Sequence, residues 1–253
     1  MYIHQIYISD EPAGQLPVAL NQAVQSVNQN VQHTQHVIYF KETLREWIMQ
    51  NYGAEMLKAF DKLVPYAFKA DLARYLLLYK LGGWYFDIST RVINPVNRID
   101  DNIDMIAFMD LFHQQGIPVA YCNGILYAKA GSPILEKLID YVCYNISHEI
   151  RGRTTLAATG PVALGHILAQ EGANHRILTG SFMDLTPTHP RKNRGYVFHD
   201  GFLFALHKGE NMGGDLSAFG AKGTNNYLQL YQERKEYDPN IHVSPELSCK
   251  NAA

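Results

Sequence analysis

The chain has 253 residues, 47% of them hydrophobic and 18% charged, with 22 Lys and Arg against 24 Asp and Glu for a formal charge of −2. That balance excludes a disordered or fibrous chain. It also gives no general affinity for polyanions, so nucleic acid is not an expected partner.

In chain order, residues 3–8 are short, rich in Ile and Tyr, and predict a first strand. Ser9-Asp10-Glu11-Pro12-Ala13-Gly14 reads as the turn after it. Apolar residues at 18, 20, 24 and 27 predict a helix, and Val37-Ile38-Tyr39-Phe40 a second strand. Residues 42–50 and 54–63 predict two short helices separated at Gly53 and stopped before Pro65. The strongest signal follows: residues 66–81 carry Ala67, Ala70, Leu72, Ala73, Leu76, Leu77 and Leu78 at helical spacing, and Gly82-Gly83 ends that helix. Trp84-Tyr85-Phe86 begins a strand at once, and Asp87 stands at its end.

Further strands are expected at residues 104–109, 123–128, 177–183 and 195–206, with a turn around Gly116 and Pro118. Helices are expected from Ser132-Pro133, from Thr159-Gly160-Pro161, and over residues 225–233. The Gly-rich stretch 208–224 reads as a mobile lid, and residues 237–253 as a loosely held tail. Alternating strands and helices give an α/β class, with one domain over residues 1–236.

Three cysteines, at 122, 143 and 249, make neither an even disulfide framework nor a zinc knuckle. Reduced thiols of a cytoplasmic protein are the expectation. Met1-Tyr2-Ile3-His4-Gln5 lacks the basic and apolar parts of a leader, and no apolar run reaches the ~18 residues of a membrane span. A cytoplasmic protein is expected, with peripheral contact at an inner membrane left open.

The chemistry is concentrated around the glycine pair. Asp71 and Arg74, at i and i+3, share one side of a greasy helix, so they either pair as a structural tie or grip a polar ligand. Asp87 stands where α/β folds gather ligands, beyond the carboxyl end of a strand. Ser89 follows on the same face. His33 and His36 lack a third ligand nearby and read as surface histidines. Asn145-Ile146-Ser147 fits a glycosylation acceptor pattern without meaning in such a chain.

The ordered string Ala67-Phe68-Lys69-Ala70-Asp71-Leu72-Ala73-Arg74-Tyr75 … Gly82-Gly83-Trp84-Tyr85-Phe86-Asp87-Ile88-Ser89 resembles the central motif of DXD-containing sugar-nucleotide glycosyltransferases. That group includes capsule and lipopolysaccharide transferases, initiating mannosyltransferases and, distantly, glucosylating clostridial toxins. Ile3-His4-Gln5-Ile6-Tyr7 resembles the opening strand of its nucleotide pocket. Asn123-Gly124 resembles an acceptor-side strand, and Thr159-Gly160-Pro161 a helix start.

The resemblance implies a GT-A-like single α/β domain with a Rossmann-like nucleotide-binding half and added helices. It implies retaining transfer of a hexose from a nucleotide diphosphate sugar, a UDP-sugar, to a saccharide or glycolipid acceptor in bacterial surface glycan synthesis. Catalytic roles fall on Asp71, Arg74, Asp87 and Asn123. Donor contacts fall on Gln5, Ile6, Tyr7, Asp71, Arg74, Gly83, Asp87, Ser89, Thr159 and Gly160. Mn²⁺ or Mg²⁺ would be held by Asp87, Ser89 and His207, with His199 the alternative to His207.

Ser89 stands where the family carries its second acid. The diphosphate is then neutralised either by a metal on Asp87 and His207 or by cations such as Arg74, Arg151, Arg153 or Lys208. Asp110 and Asp184 are the carboxylates available to a double-displacement route, and a front-face route needs neither. A toxin-like protein glucosyltransferase and an inactive sugar-nucleotide-binding or glycan-binding module are the competing functions.

Overall fold

The computed structural model describes residues 1–12, 14–96, 100–111, 119–186, 188, 193–208 and 213–250. The expected turn at Gly116 and Pro118, and residues 209–212 of the expected lid, lie outside them.

Strand β1 (Tyr2–Tyr7) is followed by α1 (Val18–Asn30), β2 (Gln35–Phe40), α2 (Lys41–Lys62), α3 (Tyr66–Leu81) and β3 (Gly83–Phe86). After these come β4 (Arg91–Val92), β5 (Met105–Asp110), β6 (Tyr121–Ala128), α4 (Pro133–Ser147) and α5 (Pro161–Glu171). The last elements are β7 (Ile177–Asp184), β8 (Arg194–Phe198), β9 (Leu203–Leu206) and α6 (Tyr227–Gln232). The described strands form one mixed sheet in the order β2-β1-β3-β6-β5-β7-β8-β9-β4. Strands β2, β1 and β3 run parallel, as a Rossmann-like half requires, and β6 returns antiparallel to β3.

Alternation along the strands sorts side chains to two faces. Trp84, Phe86, Ile106 and Phe108 enter one apolar cluster with Phe204 and Tyr196. Tyr85, Met105 and Ala107 face the other way, into the cluster made with α2, α3, α4 and α5. Helix α3 is buried almost all round from Phe68 to Leu78, so it shows little amphipathic pattern. Gly53 does break the helix that contains it, with φ 76°, although the two halves run on as α2.

The glycine pair has a backbone explanation. Gly82 caps α3 with φ 66°. A side chain on Gly83, φ 98°, would put its Cβ 2.3 Å from the Tyr2 carbonyl oxygen. Only glycine lets β3 approach β1 that closely. Gly83 therefore serves strand pairing at the far end of β3, and it is not among the residues that line the cleft beyond the strand's carboxyl end.

His4 locks this turn. Its Nε2 lies 3.0 Å from the Gly82 carbonyl, to which the neutral ring donates. Burial drives the His4 pKa down to about 4. The unfolded chain therefore binds the extra proton between pH 6.5 and 4, and stability falls as the solution is acidified through that window. Between pH 7 and pH 5 this one group is expected to cost about 2 kcal/mol of folding stability. Urea unfolding midpoints of wild type and His4→Gln check it, since the variant should lose that part of the pH dependence.

Two expectations differ from the structure. The single strand expected over residues 195–206 is a hairpin, β8 and β9, turned at Gly201 with φ 83°. Asp200-Gly201 is the turn signal that a continuous apolar reading overlooks. The tail expected to be loose is packed: Val243, Leu247 and Cys249 are buried in the main core. Tyr237 bridges Leu63, and the buried Lys62 ammonium donates to the Ile241 carbonyl at 2.7 Å. Irregular backbone gave this segment no periodicity to read.

Candidate active site

The cleft lies beyond the carboxyl end of β3, where the Asp87 amide still donates to the Gly124 carbonyl of β6 at 2.7 Å. Asp71, Arg74, Asp87, Ser89, Asn123, Ile6, Tyr7 and His207 all line it.

Arg74 is the hub. It is 4% exposed, with Nη2 3.2 Å from Asp71 Oδ1 and Nη1 3.2 Å from Asp87 Oδ1. It also donates to the carbonyls of Ala70 at 3.0 Å and Asn123 at 2.6 Å, and its guanidinium lies 4.4 Å from the Tyr85 ring centre. Burial alone would lower the pKa of this guanidinium, but Tyr85, Asp87 and Asp71 outweigh it and hold the charge firmly.

Asp71 is bound on both oxygens. Asn123 Nδ2 donates to Oδ1 at 2.9 Å, and Thr159 Oγ1 donates to Oδ2 at 2.8 Å. Burial pushes its carboxyl pKa up against the pull of Arg74, Thr159 and Asn123. The second Asn123 N–H goes to the Tyr75 hydroxyl at 2.7 Å, and that hydroxyl donates to the Thr159 carbonyl at 3.0 Å. Helix α3, strand β6 and the turn before α5 are thereby tied into one polar knot. Asp71, Asn123 and Thr159 hold each other, and Thr159 is fully buried.

Asp87 is the outward member. Its side chain is 36% exposed, and the Tyr85 hydroxyl donates to Oδ1 at 2.9 Å. Oδ2 lies against Gly124. A Cβ at Gly124 would sit 2.7 Å from both Asp87 Oδ2 and the Tyr196 hydroxyl. Gly124→Ala is thus expected to displace Asp87 and weaken donor binding about tenfold, at a folding cost of about 1–3 kcal/mol. Calorimetric titration beside a urea curve separates the two effects.

Other expected site residues lie elsewhere. Gln5 is fully buried beneath the strand ends: it accepts from His36 Nε2 at 2.8 Å and donates to the Asp87 carbonyl at 3.4 Å. It positions the Asp87 backbone and does not line the cleft. Gly160 is packed against Asp71, whose Oδ2 would be 3.2 Å from a Cβ there. Arg151 pairs with the buried Glu236 and donates to the Tyr231 carbonyl, away from the cleft. Asp184 pairs with Arg194 at 3.8 Å, whereas Asp110 does line the cleft.

The cleft also recruits Arg194, Phe182, Tyr227 and Thr224, which sequence reasoning did not single out. They come from late, non-adjacent elements, and no local motif marks them.

Asp87, Ser89 and His207 line one cleft, but no three His, Cys, Asp or Glu side chains among the described residues are grouped to hold a metal ion. Ser89 brings a neutral hydroxyl. Arg74 and Tyr85 already occupy Asp87 Oδ1, and His207 packs edge-on to Phe182 at 5.2 Å. A DXD-type region is consistent with metal-assisted chemistry in general, but these residues do not build a protein-held metal site.

Residues 17–106 match the family described as a glycosyltransferase sugar-binding region containing a DXD motif. Over 105 residues the chain is 28% identical to "Uncharacterized glycosyltransferase L373" of Acanthamoeba polyphaga mimivirus, covering 42% of this chain and 39% of that protein. Over 134 residues it is 25% identical to "Inositol phosphoceramide mannosyltransferase 3" of Schizosaccharomyces pombe (strain 972 / ATCC 24843), covering 53% and 35%. The match thus spans well under half the length of either relative. Among solved structures, "PaToxG Glycosyltransferase" superposes with a TM-score of 0.46 at 19% identity, covering 67% of this chain and 69% of that one. The ligand-free glycosyltransferase domain from the YGT toxin gives 0.47 at 8% identity, covering 70% and 79%.

The sheet order and the flanking helices make this an α/β domain of the GT-A-like, Rossmann-derived kind. Within it, residues 17–106 are similar to a DXD-containing glycosyltransferase sugar-binding region, and Asp87 in that stretch lines the cleft.

Proposed function

We infer that this domain transfers a hexose from a nucleotide diphosphate sugar, a UDP-sugar, to a saccharide or glycolipid hydroxyl with retention of anomeric configuration. One observation carries the reading. At the carboxyl end of a parallel strand, a half-exposed acid faces a cleft while the buried Arg74 holds it from behind. Such an acid can accept hydrogen bonds from ribose or sugar hydroxyls. The rigid knot behind it costs no reorganisation when the donor arrives.

The chemistry follows from the charge. As the bond from the anomeric carbon to the diphosphate breaks, its electron pair moves to the leaving oxygen. In a front-face route that oxygen takes the proton of the acceptor hydroxyl, and the new bond forms on the face just vacated. No dedicated base is needed. Asp110, within the cleft, is the carboxylate that a two-step route would use as nucleophile. A bacterial surface glycan remains the proposed product. The name of the yeast relative, which couples mannosyl transfer with inositol phosphoceramide, supports an acceptor of the glycolipid class.

The test is a panel of UDP- and GDP-sugars incubated with the purified chain, followed by NMR of the released or transferred sugar. Slow release from one donor, with its anomeric configuration kept in the first product, is expected. Failure of every nucleotide sugar to turn over or bind would refute the reading.

A further inference from the structure

The nucleotide-sugar reading leaves an electrostatic demand. Negative charge builds on the leaving diphosphate, and something fixed must meet it. The usual answer is a cation clasped by the second acid of the motif, and here that position is Ser89, 7% exposed and neutral. Divalent cations at phosphate sites keep one or two carboxylates among their ligands. In this cleft Asp87 already shares Oδ1 with Arg74 and the Tyr85 hydroxyl.

Lys208, two residues past β9, lines the same cleft as Asp87. Among the described residues its ammonium makes no hydrogen bond or ion pair. The fields of Asp87 and Asp215 favour its charge, whereas burial and the field of Arg74 oppose it. Asp215 is itself pinned, accepting from the Ser217 amide at 2.8 Å and the Thr224 hydroxyl at 3.0 Å. The arrangement is a compact point charge with three donors, lining the cleft and not bonded to any of the described residues. Lysine binds phosphate in this manner. Burial lowers the pKa of Lys208, so an anion arriving beside it would relieve an existing cost.

We propose that Lys208 neutralises the donor diphosphate directly, in the place that a metal ion held by a second acid would otherwise fill. The proposal rests on the nucleotide-sugar reading above. When the anomeric carbon–oxygen bond breaks, the electron pair goes to the diphosphate oxygen, and the Lys208 ammonium donates a hydrogen bond to that oxygen while keeping its proton. The acceptor oxygen bonds to the anomeric carbon as its proton passes to the diphosphate, so no metal enters the balance.

The experiment is calorimetric titration of UDP, GDP and inorganic diphosphate into wild type, Lys208→Ala and Lys208→Arg. Each titration is run with chelator, with Mn²⁺ and with Mg²⁺. Wild type is expected to bind one nucleoside diphosphate in chelator, with affinity moved less than about threefold by either metal. Lys208→Ala should weaken that binding by about tenfold or more, and Lys208→Arg should restore it to within about threefold. A merely structural lysine would not produce that charge-specific rescue. Thermal unfolding of each variant confirms folding. If Lys208→Ala does not fold, Lys208→Gln and the metal response of wild type decide.

Binding that requires Mn²⁺ or Mg²⁺, or that is unchanged in Lys208→Ala, overturns the Lys208 role and leaves the nucleotide reading standing. Absence of binding by both nucleoside diphosphates under every condition overturns that reading, and the proposal with it.

Discussion

Arg74→Ala is expected to lower folding stability by about 3–5 kcal/mol and to abolish donor binding with it. The guanidinium is 4% exposed and bridges two acids that lie on different elements. Removing it strands the buried Asp71 carboxylate with only Asn123 and Thr159 as donors, and strips the Asn123 and Ala70 carbonyls of a partner. An uncompensated buried charge is worse than a missing pair, which is why the cost exceeds that of an ordinary surface bridge. Arg74→Lys should recover only part of the loss. A single ammonium cannot reach both carboxylates and both carbonyls from one fixed plane. Denaturant unfolding monitored by Trp84 and Trp47 fluorescence measures the effect. A midpoint equal to wild type would remove Arg74 from the centre of the account.

Asp87→Asn should behave in the opposite way. The side chain is 36% exposed, and an amide preserves its volume and its acceptor for the Tyr85 hydroxyl. Folding stability should change by less than about 1 kcal/mol. Sugar transfer or donor hydrolysis should drop by about 100-fold or more, because the negative oxygen that meets the donor hydroxyls is gone. The contrast between the two variants carries the information. Both residues line one cleft, yet one is a structural hub and the other is the proposed contact to the ligand. Asp71→Ala belongs with Arg74→Ala, since Asp71 is 7% exposed and bound on both oxygens. Steady-state rates beside unfolding curves separate the two classes.

Much of this was readable in the residues, and the reason is locality. Helix α3 falls on the expected residues 66–81, and the expected strand follows the glycine stop at once, as Gly83–Phe86. Helix period, glycine stop and aromatic strand are all short-range signals. The pairing of Asp71 with Arg74 was legible as i,i+3 spacing.

The long-range facts were not legible. Nothing near Asn123 says that its amide nitrogen spans Asp71 and Tyr75. Nothing near Thr159 says that its hydroxyl serves Asp71 and not a phosphate. Gly83 sits inside the motif and so suggests a donor contact, whereas its constraint is the Tyr2 carbonyl on the first strand, far earlier in the chain. The tail hid for a related reason: Val243, Leu247 and Cys249 bury without a repeat, so only their packing against α2 and α4 reveals them.

The central claim is that the cleft in front of Asp87 is the seat of a nucleotide-sugar donor. Amide hydrogen exchange, run with and without a saturating UDP-sugar, tests it most directly. Slowed exchange confined to residues 85–90, 122–124, 206–208 and 213–224 is the predicted result. Protection centred elsewhere, or an exchange pattern unmoved by any nucleotide sugar, would contradict it.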